Sequence, residues 1–380
     1  MRKIIVFSRE KITNYGDPII ADCAKYILQK LAREEGLDVK VSIVDVYAKD
    51  GDKLQKVLDE ANALVFPGGG MNSVKFNQVV AGILDRVSNR SDIDVYFNAI
   101  GINRRRAHVE NEKLLQDLFS RPQVRQVTTR GDLNRLCSHL VRWDKSYVDS
   151  PTLVIDPAIW TNEAYGVEKK ESQVIGVGLI RPEIFKANDG GFNVEEVKSI
   201  YKGIVAELDK RGLAWEFFTN GMEKDYNFGI ALIEELGLDR KTYLRDNVKN
   251  SQDLIDRISS YRAVIASRMH ANIIATSLDV PSVGLVWNDK MNLFAETVGC
   301  EDRYLSGAVL LDPALIVDKM EQAIAEGYDV EQIDNMKLLT EKTLRNIVRG
   351  AKGSGGSFGR MYRRLRRGAV RVARSLLPSK

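Results

Sequence analysis

The feature that most constrains this chain is the alternation of short apolar runs, rich in β-branched residues, with longer segments of helical periodicity. Between the first two runs, residues 17–35 carry an apolar stripe at helical spacing. This alternation is typical of a parallel sheet whose strands are joined by helices. The runs that predict strands in the first 130 residues are Ile4–Phe7, Val39–Val46, Ala63–Phe66, Val95–Ile100 and Val124–Thr128.

The same pattern starts again after a polar stretch near residues 163–172. A length of 380 residues also favours two domains. We therefore predict an α/β protein with two doubly wound, Rossmann-like domains facing a cleft, with ligands at the carboxyl ends of the strands. The predicted domains are 1–168 and 169–349. The new strand candidates are Val174–Ile180, Ala214–Thr219, Ala263–Ala266 and Ser282–Val286.

Residues 350–380 have a different composition from the two predicted domains. Residues 350–357 are mainly glycine, serine and small residues, which is typical of a flexible linker. Residues 360–380 contain seven arginines, one lysine and no acidic residue, with apolar residues on another helical face. We predict a C-terminal basic amphipathic helix that binds an anionic membrane surface. Docking of this helix on the protein's own body or on a second subunit stays open as the alternative.

The composition of the chain indicates the cellular compartment in which the protein would function. Its three cysteines lie far apart, which favours a reducing compartment over a disulfide framework. The apolar run at residues 4–7 is too short for the core of a signal peptide, and no run approaches the length of a membrane span. We expect a cytoplasmic protein that can sit peripherally at the inner face of the cell membrane.

A turn after one predicted strand carries the most informative polar residues. Ser267, Arg268 and His270 follow the apolar run 263–266 and precede a segment of small residues that predicts a helix. Backbone N–H groups and the dipole at a helix N-terminus favour an anion there. From the residues alone, a structural role for Arg268 and His270 is about as well supported as an anion-binding one.

An ordered set of motifs resembles the polysaccharide pyruvyl transferase family, over roughly residues 1–300. Each motif is weak by itself, and their shared order carries the resemblance. The motifs are Asn14-Tyr15-Gly16-Asp17, Pro67-Gly68-Gly69-Gly70, Thr129-Arg130-Gly131-Asp132, Asp156-Pro157-Ala158, Ser267-Arg268-Met269-His270-Ala271, Val280-Pro281 and Asp289-Lys290.

The resemblance implies a double-Rossmann fold of the glycosyltransferase-B type and phosphoenolpyruvate as donor. The acceptor would be a glycan or a lipid-linked oligosaccharide, which receives a pyruvate ketal in the synthesis of an exopolysaccharide, a capsule or a cell-wall polymer. The phosphate and carboxylate of the donor need at least two cations. The predicted donor-binding residues are Arg181, Arg268, His270 and Lys290. His270 is also the candidate general acid, because an unperturbed histidine has its pKa near the operating pH.

The acceptor site is predicted from the loops of the first domain. Asp17 is the candidate base for the attacking hydroxyl, with a helix N-cap as its structural alternative. The other predicted acceptor-binding residues are Asn14, Gly16, Gly68, Gly69, Gly70 and Arg130. The structural alternatives are a simple chain reversal for the glycines, an ion pair with a neighbouring carboxylate for Arg130, and a solvated side chain for Lys290.

Two other functions fit the same predicted fold. One is a glycosyltransferase that uses a nucleotide sugar, and the other is a non-catalytic scaffold for glycan assembly. We expect no cofactor beyond phosphoenolpyruvate as co-substrate, and no metal, because the three histidines lack ligand spacing. We also expect no nucleic-acid partner, because the chain outside the basic tail is net acidic.

Overall fold

The computed structural model describes residues 1–9, 14–102, 109–140, 152–187 and 191–350. The first half of this described part forms a parallel sheet in the order β2-β1-β3-β4-β5-β6. Its strands are β1 Arg2–Ser8, β2 Val39–Asp45, β3 Ala63–Pro67, β4 Asp94–Ile100, β5 Val124–Thr129 and β6 Thr152–Leu153. Its helices are α1 Gly16–Glu34, α2 Gly51–Glu60, α3 Val74–Asp85, α4 Val109–Ser120, α5 Leu133–His139 and α6 Thr161–Tyr165.

The second half forms another parallel sheet, in the order β11-β10-β9-β7-β8. Its strands are β7 Ile175–Gly178, β8 Trp215–Phe218, β9 Ala263–Ala266, β10 Ser282–Leu285 and β11 Tyr304–Leu305. The helices are α7 Pro182–Ala187, α8 Val194–Lys210, α9 Glu223–Leu236, α10 Arg240–Tyr243, α11 Ser251–Ser259, α12 Met269–Ser277, α13 Asp289–Val298, α14 Pro313–Glu326 and α15 Val330–Arg349. Short 3-10 turns occupy Pro157–Trp160, Glu301–Arg303 and Gly307–Leu311.

Local sequence signals explain where several helices begin and end. Asn193 and Glu196 form a reciprocal capping box at the start of α8. Gly237 and Gly299 end α9 and α13 in the left-handed conformation, with φ of 65° and 69°, which glycine adopts without a Cβ penalty. The apolar stripe predicted for α1 is buried as expected, through Ile20, Ala24, Ile27 and Leu31.

The strand order reverses once in each sheet, and both reversals lie where polar motifs follow a strand. In the first sheet, β1 and β3 are neighbours, and β2 and β4 continue in opposite directions. In the second sheet, β7 and β9 are neighbours, and β8 and β10 continue in opposite directions. Such switch points open a crevice at the carboxyl ends of their strands. The loops that begin at Arg9, Gly68, Leu179 and Ser267 therefore lie at the two crevices.

Helix α15 joins the two halves, because it packs on α1 from the first half and on α13 from the second. Arg345 pairs with Glu34 at the end of α1 and with Glu35, the C-cap residue of that helix. The Thr340 hydroxyl accepts a hydrogen bond of 2.9 Å from the backbone N–H of Ile155. One cluster of buried apolar side chains contains both Ile4 of β1 and Val348 of α15. The halves thus share a core on this side.

The structure confirms the predicted fold class, two parallel α/β sheets with helices. Sequence patterns did not predict the two-residue strands β6 and β11. The domain boundaries at 168/169 and 349/350 stay predictions. Within the described ranges, every helix is too short or too polar to cross a lipid bilayer. The predicted basic helix at 360–380 lies outside the described residues.

The contact between Thr340 and Ile155 gives a test of the joint between the halves. A Thr340→Val substitution leaves the buried Ile155 N–H without an acceptor, so we expect a loss of about 1–3 kcal/mol in the free energy of unfolding. Thr343→Val is the matched control, because Thr343 is also buried on α15 but its hydroxyl donates only to Thr340 O of the same helix. Urea denaturation measures both values, and equal losses would contradict this role for Thr340.

Candidate active site

The turn from Ser267 to His270 is fixed from two sides at the switch point of the second sheet. The hydroxyl groups of Ser267 and Tyr201 share a hydrogen bond of 2.8 Å. The backbone carbonyl of Ser267 accepts a hydrogen bond of 2.5 Å from Trp287 Nε1. Arg268 stands at the N-cap position of α12, and His270 lies in its first turn. These contacts present both side chains at the carboxyl end of β9, as the sequence predicted.

A buried carboxylate that the sequence reasoning missed holds two of the predicted donor-binding arginines. Asp225 is wholly buried in the first turn of α9. Its Oδ1 accepts a hydrogen bond of 3.0 Å from Arg181 Nη1, and its Oδ2 accepts one of 2.9 Å from Arg268 Nε. One carboxylate therefore orients two guanidinium groups, and the trio carries one net positive charge. The sequence pattern that could have predicted Asp225 is an acidic residue in the helix that follows β8.

A second cluster brings the two halves of the chain together around His270. Arg130 follows β5 of the first sheet, and its Nη1 lies 3.4 Å from His270 Nε2. Arg130 also forms an ion pair with Asp156, whose Oδ2 lies 3.7 Å from His270 Nε2. The expected alternative for Arg130, an ion pair with a carboxylate, is thus present. It also places Arg130 beside the predicted donor residue His270.

The role predicted for His270 as general acid assumed an unperturbed pKa. The surroundings of the imidazole change that pKa. Burial, and then the positive charge of Arg130, lower the pKa of His270 to about 3. His270 is therefore neutral near pH 7. Burial also lowers the pKa of Arg130 to about 10, which leaves its guanidinium charged at that pH.

Lys290 is a cation of the site that has no carboxylate partner among the described residues. Its ammonium group lies 4.7 Å from the centre of the Trp287 ring, and no carboxylate of the described ranges forms an ion pair with it. The side chain is only partly exposed, so it does not match the solvated alternative. Burial, followed by the charges of Arg130 and Arg268, lowers the pKa of Lys290 to about 8.

The loop from Asn14 to Asp17 lies directly against His270. A Cβ at Gly16 would overlap the His270 side chain, so only glycine fits this close approach. Helix α1 begins at Gly16 with Tyr15 as its N-cap residue, which removes the N-cap alternative for Asp17. The negative charge of Asp17 raises the pKa values of Arg130, His270 and Lys290, so Asp17 lies close enough to these residues to affect their ionisation.

The glycine run after β3 borders a cavity on the first half. Gly68 and Gly69 have φ of 57° and 74°, and a Cβ at Gly68 would overlap Ile20. Arg9 was not predicted as a site residue, yet its Nη2 donates a hydrogen bond of 3.0 Å to Gly70 O. The Arg9 guanidinium also lies 3.5 Å from the centre of the Phe76 ring. This cavity is lined by Arg9, Asp17, Gly68 and Gly69 among others.

A larger cavity lies between the two halves, with about 600 Å³ of empty space including its open mouth. Arg130, Asp156 and Lys290 form its polar part, and Met269 and Phe294 belong to its apolar part. The structure thus gathers Arg130, His270, Lys290, Gly16 and Asp17 at one place. It puts Arg181 and Arg268 in an adjoining cluster around Asp225, and the charge of Arg268 reaches Lys290. Gly68, Gly69 and Gly70 lie on the side of the first half.

The fold and the cleft site define the class of the protein: an α/β protein with two parallel sheets in a fold of the glycosyltransferase-B type, and with a polar site between the halves. The family description "Polysaccharide pyruvyl transferase" matches residues 14–289 of the chain, so this chain belongs to that family of transferases. Among curated proteins, none matches this sequence.

Solved structures support the fold alone, at low sequence identity. The UDP-GlcNAc 2-epimerase of Methanocaldococcus jannaschii is 14% identical, with 92% of this chain and 100% of that chain covered and a TM-score of 0.54. The UDP-GlcNAc 2-epimerase of Neisseria meningitidis is 13% identical, with coverages of 90% and 94% and a TM-score of 0.52. A putative UDP-N-acetylglucosamine 2-epimerase of Listeria monocytogenes is 10% identical, with coverages of 86% and 91% and a TM-score of 0.56.

The lowered pKa of His270 gives a direct prediction about its titration. The ring proton signals of His270, assigned by comparison with a His270→Gln protein, should not titrate between pH 5 and 8, because the imidazole protonates only near pH 3. An Arg130→Gln substitution removes a positive charge and should raise the pKa of His270. Arg135→Gln is the matched control, because Arg135 lowers the pKa of His139 instead. A His270 signal that titrates near pH 6.5 in the unchanged protein would refute the prediction.

Proposed function

We propose that this protein transfers the enolpyruvyl group of phosphoenolpyruvate to two hydroxyls of a glycan sugar, forming a pyruvate ketal and releasing phosphate. Lys290 is the observation that carries the proposal. It is a partly buried cation beside Arg130 and Arg268, without a carboxylate partner in the described part of the chain, and its pKa is lowered to about 8. A site that crowds positive charges in this way is stabilised by an anion.

The arrangement of cations suits a ligand that carries two anionic groups. Arg130 and Lys290 line the larger cavity, while Arg181 and Arg268 are oriented by Asp225 next to it. A phosphate and a carboxylate attached to the same carbon, as in phosphoenolpyruvate, can meet both sets of cations. We assign the phosphate to Lys290, Arg130 and His270 within this proposal.

The proposed reaction balances with two sugar hydroxyls. A proton adds to the methylene carbon of the donor, and one hydroxyl oxygen attacks C2. The C–O bond to phosphate then breaks, and the second hydroxyl oxygen closes the ketal on C2. One of the two hydroxyl protons restores the acid that protonated the methylene carbon, and the other leaves with the phosphate. Asp17 faces the site from the acceptor side and is the proposed base.

The pKa values indicate how the proton donor would be prepared. The imidazole of His270 is neutral near pH 7, because its pKa is about 3. The negative charge of a bound phosphate beside the ring would raise that pKa, so binding of the donor itself would allow His270 to become protonated. Lys290, with a pKa of about 8, can release or accept a proton near neutral pH. General-acid catalysis by His270 thus depends on prior binding of the anion.

The proposal also includes a glycan acceptor and binding to an anionic membrane surface. The family match supports a glycan acceptor, and a lipid-linked oligosaccharide is the form that would suit a protein held at an anionic membrane surface. The basic segment 360–380 that would bind this surface lies outside the described residues.

Binding of phosphoenolpyruvate tests the proposal against a nucleotide-sugar donor. Calorimetry should show saturable binding of phosphoenolpyruvate and none of a panel of UDP- and GDP-sugars. An Arg268→Ala substitution should weaken this binding roughly 10- to 100-fold, because it removes a charge-assisted hydrogen bond. Arg262→Ala is the matched control, because Arg262 lies at the opposite end of β9 and its side chain bonds Gln173 on the surface.

Either of two results would reject the donor assignment. Saturable binding of a nucleotide sugar instead would make the protein a glycosyltransferase. Unchanged phosphoenolpyruvate affinity in an Arg268→Ala protein with native thermal stability would remove Arg268 from the donor site.

Donor binding should also be linked to proton uptake. At pH 8 about half of Lys290 is neutral, and a bound anion would raise its pKa, so binding should draw protons from the buffer. Calorimetry in two buffers of different ionisation enthalpy measures this uptake, which should fall in a Lys290→Met protein. Lys337→Met is the matched control, because Lys337 also lies over a tryptophan ring, that of Trp160 at 5.5 Å, but away from the site. Equal uptake in the two variants would contradict this role for Lys290.

A further inference from the structure

The turn that follows β8 holds a buried amide whose polar atoms are unsatisfied. Asn220 is 1% exposed, and neither Oδ1 nor Nδ2 of its side chain has a hydrogen-bond partner in the described ranges. The turn itself is well held, because the Thr219 hydroxyl donates to Asn247 Oδ1 at 2.7 Å and Asn247 Nδ2 donates to Gly221 O at 3.0 Å. The free amide of Asn220 therefore does not stabilise its own turn.

A second unsatisfied amide oxygen reaches the same junction from the other half of the protein. The backbone N–H of Tyr15 donates a hydrogen bond of 3.1 Å to Asn220 O, which brings the loop of Asn14 onto the turn of Asn220. Asn14 Oδ1 is also buried without a partner among the residues described here. Leaving such a group unpaired costs about 1–3 kcal/mol, which a ligand that supplies the missing bonds would recover.

The position of Asn220 relates this junction to the candidate active site. Strands β7 and β8 pair in parallel up to Gly178 and Phe218, so Arg181 and Asn220 follow neighbouring strands at the same sheet edge. On the opposite side, Gly16 lies against His270 only two residues after Asn14. The two amides thus stand beside the proposed donor site and not within its charged cluster.

The chemistry of the missing partners distinguishes the two proposed substrates. Two amide oxygens need hydrogen-bond donors, and the Asn220 amide nitrogen needs an acceptor. Ionised phosphoenolpyruvate offers only acceptors, so it cannot satisfy the oxygens. A sugar hydroxyl both donates and accepts, and neighbouring hydroxyls can pair with both ends of one amide.

We infer that Asn220, with Asn14, forms a subsite that binds hydroxyl groups of the acceptor sugar at the junction of the two halves. The inference rests on the proposed function and adds a residue from the second half to the acceptor site. Because Asn220 is 1% exposed, entry of the sugar requires the hydrogen bond between the Tyr15 N–H and Asn220 O to open, and its re-formation closes the site. The acceptor would therefore be held by both halves.

The test uses a substitution that separates binding from stability. Leucine resembles asparagine in shape but has no polar atoms, so an Asn220→Leu substitution removes a buried group that lacks partners. We expect the thermal midpoint to stay the same or rise. An Asn77→Leu protein is the matched control, because Asn77 is equally buried but its amide donates to Met71 O and Asn111 Oδ1, so its midpoint should fall.

Sugar binding is then measured with methyl glycosides of glucose, galactose, mannose and N-acetylglucosamine, by saturation-transfer NMR in the presence of phosphoenolpyruvate. The unchanged protein should bind at least one glycoside, and Asn220→Leu should weaken that binding roughly tenfold or more. Asn14→Ala serves as the second variant and should weaken it in the same direction. Affinity for phosphoenolpyruvate should stay unchanged in both variants.

The outcomes distinguish this inference from the proposed function. Glycoside binding that is unchanged in Asn220→Leu would mean that the amide contacts only buried water, and would overturn the inference. Absence of glycoside binding to the unchanged protein, with phosphoenolpyruvate bound, would overturn it as well. Absence of phosphoenolpyruvate binding would instead reject the proposed function.

Discussion

The structure depends on the contact that brings His270 of the second sheet against Gly16 and Arg130 of the first. His270 and Gly16 lie at the switch points of their sheets and Arg130 follows β5, so the position of each is set by its own sheet. Helix α15, which packs on both α1 and α13, helps to fix how the halves face each other. A glycine is required at position 16 because the imidazole occupies the space that a Cβ would need.

Charge balance in this contact explains the unusual ionisation of its members. Asp156 neutralises Arg130, and Asp225 neutralises one of its two arginines, but no carboxylate of the described chain pairs with Lys290. Burial makes each remaining positive charge harder to maintain, which lowers the pKa values of His270 and Lys290. The neutral imidazole of His270 and the lowered pKa of Lys290 therefore have the same cause, which is burial among positive charges.

Sequence patterns predicted the long elements well because each buries a continuous apolar face. Strands β1 to β5 and β7 to β10, and helices such as α1 and α8, follow directly from their periodicity. Strands β6 and β11 have two residues each, which is too short for any pattern to emerge. Among the site residues, Arg268 and His270 were found through their turn and the family resemblance. Asp225, Arg9 and Asn220 were missed, since single polar residues near strand ends have many possible roles.

The sequence by itself determined the alternation of strands and helices, the family, and the set of polar residues at strand ends. These are local properties: they depend on periodicity, on turn chemistry and on the order of motifs along the chain. Only the tertiary structure decided which of these residues meet. It placed Arg130 beside His270 and brought both Arg181 and Arg268 to Asp225. In the described ranges it left Lys290 without a carboxylate partner and the Asn220 amide without a hydrogen-bond partner. The reason is physical, because pKa values and unsatisfied hydrogen bonds depend on burial and on neighbours distant in sequence.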